Sequence, residues 1–64
     1  MKNLLKLLRG DNSQESMAKQ YGVTQQTWYS WESGRTTPNN ETMLKMEKSF
    51  SIPMEVIFFD SFNY

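Results

Sequence analysis

The sequence predicts an all-α fold, a compact bundle of five short helices in a single domain, residues 1–64. Three observations carry this. Apolar residues recur at helical spacing, and no stretch shows the strict alternation of a half-buried strand. Residues that start and stop helices bracket the apolar stretches in order along the chain. Cysteine and histidine are both absent, so neither disulfides nor thiolate or imidazole zinc sites can hold so short a chain. Packing of helices must do it, and at 64 residues the core is modest.

The first helix is expected at about residues 2–9. Leu4, Leu5, Leu7 and Leu8 form its apolar face, and Arg9 suits the negative end of its dipole. Gly10-Asp11-Asn12 is turn chemistry. Ser13 then caps a second helix over about 14–20, with Glu15 in its first turn and Met17 and Ala18 inward. Gly22 supplies the positive φ that ends it, with Tyr21 and Val23 beside the core. Thr24 caps a third helix from Gln25 through Ser33, stopped at Gly34. Two helices joined by so short a glycine-containing turn have the spacing of a helix-turn-helix. Asn40 is expected to cap a fourth helix over about 41–50, with Met43, Leu44, Met46 and Phe50 inward. Pro53 fits the first turn of a short fifth helix, whose apolar side is Met54, Ile57 and Phe58.

Composition excludes more than it assigns. Without His or Cys there is no usual general base and no thiol nucleophile. Tyr29 has no neighbour in sequence that would activate it, and the acids Asp11, Glu15, Glu32 and Glu41 sit where caps and helix ends explain them. The chain reads as non-enzymatic, with no cofactor, no metal and no evident small-molecule ligand. Lys2 and Lys6 interrupt the apolar start, and no run of about 18 apolar residues occurs, so a cytoplasmic, soluble protein without a membrane partner is expected. Seven basic and seven acidic residues leave no net charge and a pI near 6.1, which argues mildly against a nucleic-acid partner. The distribution softens this: residues up to Arg35 carry +2 and the remainder −2.

Winding the third helix at about 100° per residue puts Trp28 and Trp31 on one side, with Thr27 nearby. Gln25, Gln26, Tyr29, Ser30 and Ser33 spread over the other. An ordinary solvent face is dominated by Lys and Glu; this one is neutral and rich in hydrogen-bonding groups. A Gln amide carries one acceptor and two donors, and so can pair with adenine N6 and N7 in the major groove. The positive end of the helix near Thr24, and the start of the second helix near Ser13 and Asn12, suit phosphate oxygens. Plain surface, with Thr24 only a cap, is the other reading of the same face.

Longer motifs add to this. Ser13-Gln14-Glu15-Ser16-Met17-Ala18 resembles the SQ-x-x-LA helix of the Cro and lambdoid phage repressor (XRE) family. Tyr21 to Trp28 resembles that family's turn and recognition helix, and Trp31-Glu32-Ser33-Gly34-Arg35 with Pro38 its WE-x-G and downstream proline. Ser51 to Phe58 is similar to its closing helix, so the resemblance spans about residues 4–58. Within the family, Thr24-Gln25-Gln26-Thr27 is most like the recognition helix of the phage 434 repressor, which also opens with paired glutamines. The resemblance implies a lambda-repressor-like DNA-binding domain acting as a dimer on a near-palindromic double-stranded operator. It places Gln14 against a phosphate or outer base and Gln25, Gln26 and Ser30 against base edges. It also implies a pair between Glu32 and an Arg of helix one, for which Arg9 is the candidate. The Arg9-to-Gln14 connection is about two residues shorter than the family's, Ser30 is shorter than the usual reader, and basic residues are sparse.

Other residues keep two readings. Arg35 touches a phosphate or stays solvated, as do Lys6 and Lys19, and Tyr29 stacks on the backbone or a thymine methyl or is simply exposed. The tail holds Phe58, Phe59, Phe62 and Tyr64, more aromatics than one face can hide. It forms a dimer contact or folds back over helix one. An interaction module, such as an antitoxin that binds a partner through this tail, is the alternative to a transcriptional regulator.

Overall fold

The computed structural model describes residues 3–62. All regular structure among them is helical: α1 (Leu5–Arg9), α2 (Gln14–Gln20), α3 (Gln25–Glu32), α4 (Asn40–Phe50), α5 (Met54–Ile57) and α6 (Phe59–Phe62). Helices this short are marginal alone, so packing must hold them. Leu5, Met17, Ala18, Trp28, Trp31, Met43, Met46, Ile57 and Phe58 form one buried cluster, with at least one residue from each of the first five helices. Trp28 is its centre. Tyr21 stacks on it at 5.8 Å and Trp31 meets it edge-on at 5.8 Å.

Several local expectations are corrected. The first helix begins at Leu5; Lys2, where it was expected to start, lies outside the described residues. Asn3 explains the later start. Its side chain is buried, accepting from the Leu5 N–H at 3.0 Å and donating to the Trp31 carbonyl at 2.7 Å. An Asn that bonds the backbone this way competes with helix ahead of α1. Leu7 is not part of the apolar face but 68% exposed. At about 100° per residue it sits roughly 200° from Leu5, which points into the core. Leu44 is likewise exposed, because Met43 and Met46 already take the inward side of α4.

The cap of α4 is Asn39 rather than Asn40, its Oδ1 accepting from the Thr42 N–H at 2.9 Å. Asn39 has the extended backbone that a cap needs, and Asn40 is already helical. Ser33 stands at the C-cap of α3, one position past its last residue. Pro53 stands just ahead of α5, at its N-cap, not in its first turn. A sixth helix follows five because Phe58 leaves helical geometry, at φ −112° and ψ 46°, to bury its ring.

Part of the tail folds back onto the start of α1. The Ile57 carbonyl accepts from the Leu4 N–H at 2.9 Å, so α5 closes against the start of α1. Val56 and Phe62 remain exposed, Phe59 is half-buried, and Tyr64 lies outside the described residues.

Candidate nucleic-acid interface

The site is built from α2, its turn and α3. Ser13 Oγ caps α2 by accepting from the Ser16 N–H at 3.0 Å. Thr24 Oγ1 caps α3 by accepting from the Thr27 N–H at 3.2 Å and donates to Thr27 Oγ1 at 3.0 Å. Both helices close on the same motif. At the end of α2, Val23 donates to the Ala18 carbonyl at 3.0 Å and Gly22 to that of Lys19 at 3.2 Å. At the end of α3, Arg35 donates to the Ser30 carbonyl at 3.0 Å and Gly34 to that of Trp31 at 3.1 Å. This paired closure requires a left-handed residue at its apex. Gly22 and Gly34 supply it at φ 68° and 79°.

With Trp28 and Trp31 buried, the rest of α3 has no choice of side. Gln25, Gln26 and Tyr29 project outward, and a shallow groove is lined by Gln14, Thr24, Gln25, Gln26 and Tyr29. Five of the nine residues expected at the interface therefore come together. The other four lie outside that groove: Thr27 and Ser30 are half-buried, and Ser33 and Arg35 are exposed beyond the carboxyl end of α3. The Ser33 hydroxyl is engaged in a bond to the Ser30 carbonyl at 3.1 Å. The groove carries no charge of its own; it is a surface of amides, a hydroxyl and a phenol.

Behind it lies one carboxylate. Arg9 Nε donates to Glu32 Oε2 at 2.6 Å and Nη2 to Oε1 at 3.3 Å, a forked pair between α1 and α3. Trp28 Nε1 donates to Oε2, and Gln14 Nε2 to Oε1 at 3.2 Å. Burial opposes ionisation of Glu32, but the bonds from Arg9, Trp28 and Gln14, with the Arg9 charge, outweigh it and hold the pKa below its ordinary value. The short connection after α1 does not prevent the pair. Arg9 Nη1 donates to the Asn12 carbonyl at 3.0 Å, and Asn12 donates back to the Arg9 carbonyl from its N–H and Nδ2. The turn is tight because its own groups close it.

Sequence reasoning missed three of these features. Asn3 as a buried tie to α3 leaves no periodic signal. The Trp28–Glu32 bond was legible, since a buried indole N–H needs an acceptor and the two residues are four apart. The Gln14–Glu32 bond depends on how α2 crosses α3, which spacing does not specify.

The arrangement agrees with what comparison finds. The Helix-turn-helix family model matches residues 1–57, which contain both helices and the turn between them. The chain belongs to the XRE-type helix-turn-helix family. It is similar to an uncharacterized HTH-type transcriptional regulator of Methanocaldococcus jannaschii, 38% identical over 60 residues that cover 91% of each chain. No solved structure matches this helix-turn-helix chain. Among its described residues no helix is long and apolar enough to cross a membrane.

Proposed function

We propose that this helix-turn-helix protein is a sequence-specific DNA-binding transcriptional regulator that sets α3 in the major groove and represses by occupying a promoter. Support comes first from one observation: Gln25 and Gln26 are exposed at the amino end of α3, fixed outward by the two buried indoles behind them. A helix enters the major groove with its amino-terminal residues deepest. Paired amides there match adenine edges. Thr24 and Arg35 hold the phosphates, Tyr29 and Thr27 meet the groove wall, and Ser30 and Ser33 reach the bases weakly. The related transcriptional regulator and the family match support the regulatory role. The phage-type repressor reading rests on the paired glutamines, which open α3 as they do in the phage 434 repressor. A second copy bound through exposed Val56 and Phe62 would place two α3 helices on a near-palindromic operator.

The test is substitution measured on two kinds of DNA. Gln25→Ala and Gln26→Ala are each expected to weaken binding to the selected site by about 1–3 kcal/mol. Binding to random duplex should barely change. Equal loss on both would reject base readout. For the dimer, sedimentation of a chain ending at Asp60 decides: unchanged association rejects a role for Phe62 in it.

A further inference from the structure

The chain has four glutamines, and α2 and α3 use them in two ways. The Gln14 amide donates to Glu32 Oε1 at 3.2 Å, and that of Gln20 to Met17 Sδ at 3.7 Å. Gln25 and Gln26 are exposed, and their side-chain amides find no partner among the described residues. Each keeps one acceptor and two donors for whatever enters the groove they line with Gln14, Thr24 and Tyr29. No Lys or Arg lines that groove, so what binds there is held by hydrogen bonds and packing, not by charge.

The adenine edge that fits such an amide is N7, which accepts, beside an N6 hydrogen, which donates. Adenine has two N6 hydrogens. One is spent on the thymine of the base pair, and only the other points into the major groove. N6-methylation replaces one of them. While the base pair holds, the remaining hydrogen stays with thymine and the methyl group lies in the groove beside N7. An amide approaching that edge loses the donor for its carbonyl and is kept from N7 by the methyl group. A polar group desolvated against a partner that cannot bond it is costly. Turning the methyl group away frees the hydrogen only by breaking the base pair. Methylation of cytosine at C5 changes neither of these adenine atoms and adds a group that thymine already carries there.

Resting on the DNA-reading role proposed above, we infer that this surface reads the methylation state of adenine as well as its identity. Duplexes with unmethylated adenine opposite Gln25 and Gln26 are bound, and N6-methylation of those adenines releases the chain. With no cation lining the groove, the loss is not masked by charge attraction there.

The experiment titrates the intact chain, Gln25→Ala and Gln26→Ala against a duplex selected by the intact chain from random sequence. The duplex is made in three forms: unmethylated, with N6-methyladenine at the adenines whose preference each substitution abolishes, and with 5-methylcytosine in place of cytosine. N6-methylation should weaken the intact chain by about tenfold or more at each adenine, the size of one mismatched base pair. C5-methylation should change its binding by less than about twofold. Each alanine variant should bind the unmethylated form more weakly, yet lose little more when the adenine it no longer reads is methylated. Both residues are exposed, so both variants should fold, and circular dichroism checks this.

Equal or tighter binding of the N6-methylated form by the intact chain overturns the inference. So does a methylation loss as large in the alanine variants, which would place the effect in the duplex and not in the amides. A chain that selects a site without adenine opposite Gln25 and Gln26 overturns this inference and leaves sequence-specific binding standing. One that selects no sequence overturns the proposed function with it.

Discussion

Helices α2 and α3 carry their own start and stop signals, whereas α5 borrows its start from elsewhere. Ser13, Gly22, Thr24 and Gly34 close both ends of the first pair with groups from the same short segment. Pro53 makes no side-chain cap, and the Met54 N–H is satisfied instead by Glu47 Oε1 of α4 at 2.9 Å. Between them, α4 stops on Ser51 in the left-handed region at φ 57°, without a glycine. The segment proposed to face DNA thus has locally determined ends, and the segment that completes the core depends on the rest of the fold. Both regions still meet in one core, where Ile57 and Phe58 are buried in the same cluster as Trp28 and Trp31.

The contrast can be broken most severely at the core that both regions share. Trp28→Ala removes the residue on which Tyr21 and Trp31 pack, and a loss of about 3–5 kcal/mol is expected. On a domain this small that unfolds the chain at 25 °C, and circular dichroism would report loss of all helices together. Retained signal from α2 and α3 alone would contradict a single core.

Acid sharpens it next. The folded Glu32 pKa is depressed below its unfolded value, so the pair stabilises the fold fully above that unfolded value, the ordinary one for a glutamate. The contribution is lost as pH falls from there through the folded pKa. Denaturant unfolding at a series of acidic pH values should show this decline in the intact chain and less of it in Glu32→Gln. The same decline in both would assign it to other carboxylates.

Cap removal compares the two regions directly. Thr24→Ala should lower global stability by about 1 kcal/mol, since α3 carries both buried indoles. Glu47→Ala should instead raise hydrogen exchange at Met54 to Ile57 with a smaller global effect, because only a four-residue helix loses its start. Reversed magnitudes would mean that the carboxyl-terminal end, and not the helix-turn-helix, controls the fold. One change of opposite sign is a gain: Ser51→Gly relieves a left-handed non-glycine residue and should stabilise by about 1 kcal/mol.

That division also sets what the sequence discloses. The α2–turn–α3 boundaries are legible because Ser13, Thr24, Gly22 and Gly34 act on neighbours within a few residues. The outward face of α3 is legible because two tryptophans leave only one way to turn it. Asn3 is not legible, since its partner Trp31 is 28 residues away. Leu7 and Leu44 are misplaced by periodicity because five-residue α1 and Met-lined α4 each bury a narrower stripe than their apolar residues could fill. Two adjacent asparagines can each cap α4, and the extended backbone at Asn39, with Asn40 already in the helix, decides for Asn39.

No basic residue lines the groove, so under the proposed function the fall of affinity with salt should be shallow. The most direct measurement is therefore enrichment of random duplex DNA by the intact chain at low ionic strength, sequenced and repeated at higher salt. The expected product is an inverted repeat with adenines opposite Gln25 and Gln26 in each half, centred about one helical turn apart. Retention without any enriched sequence, or no retention at all, would contradict the reading of α3 as the surface that recognises DNA.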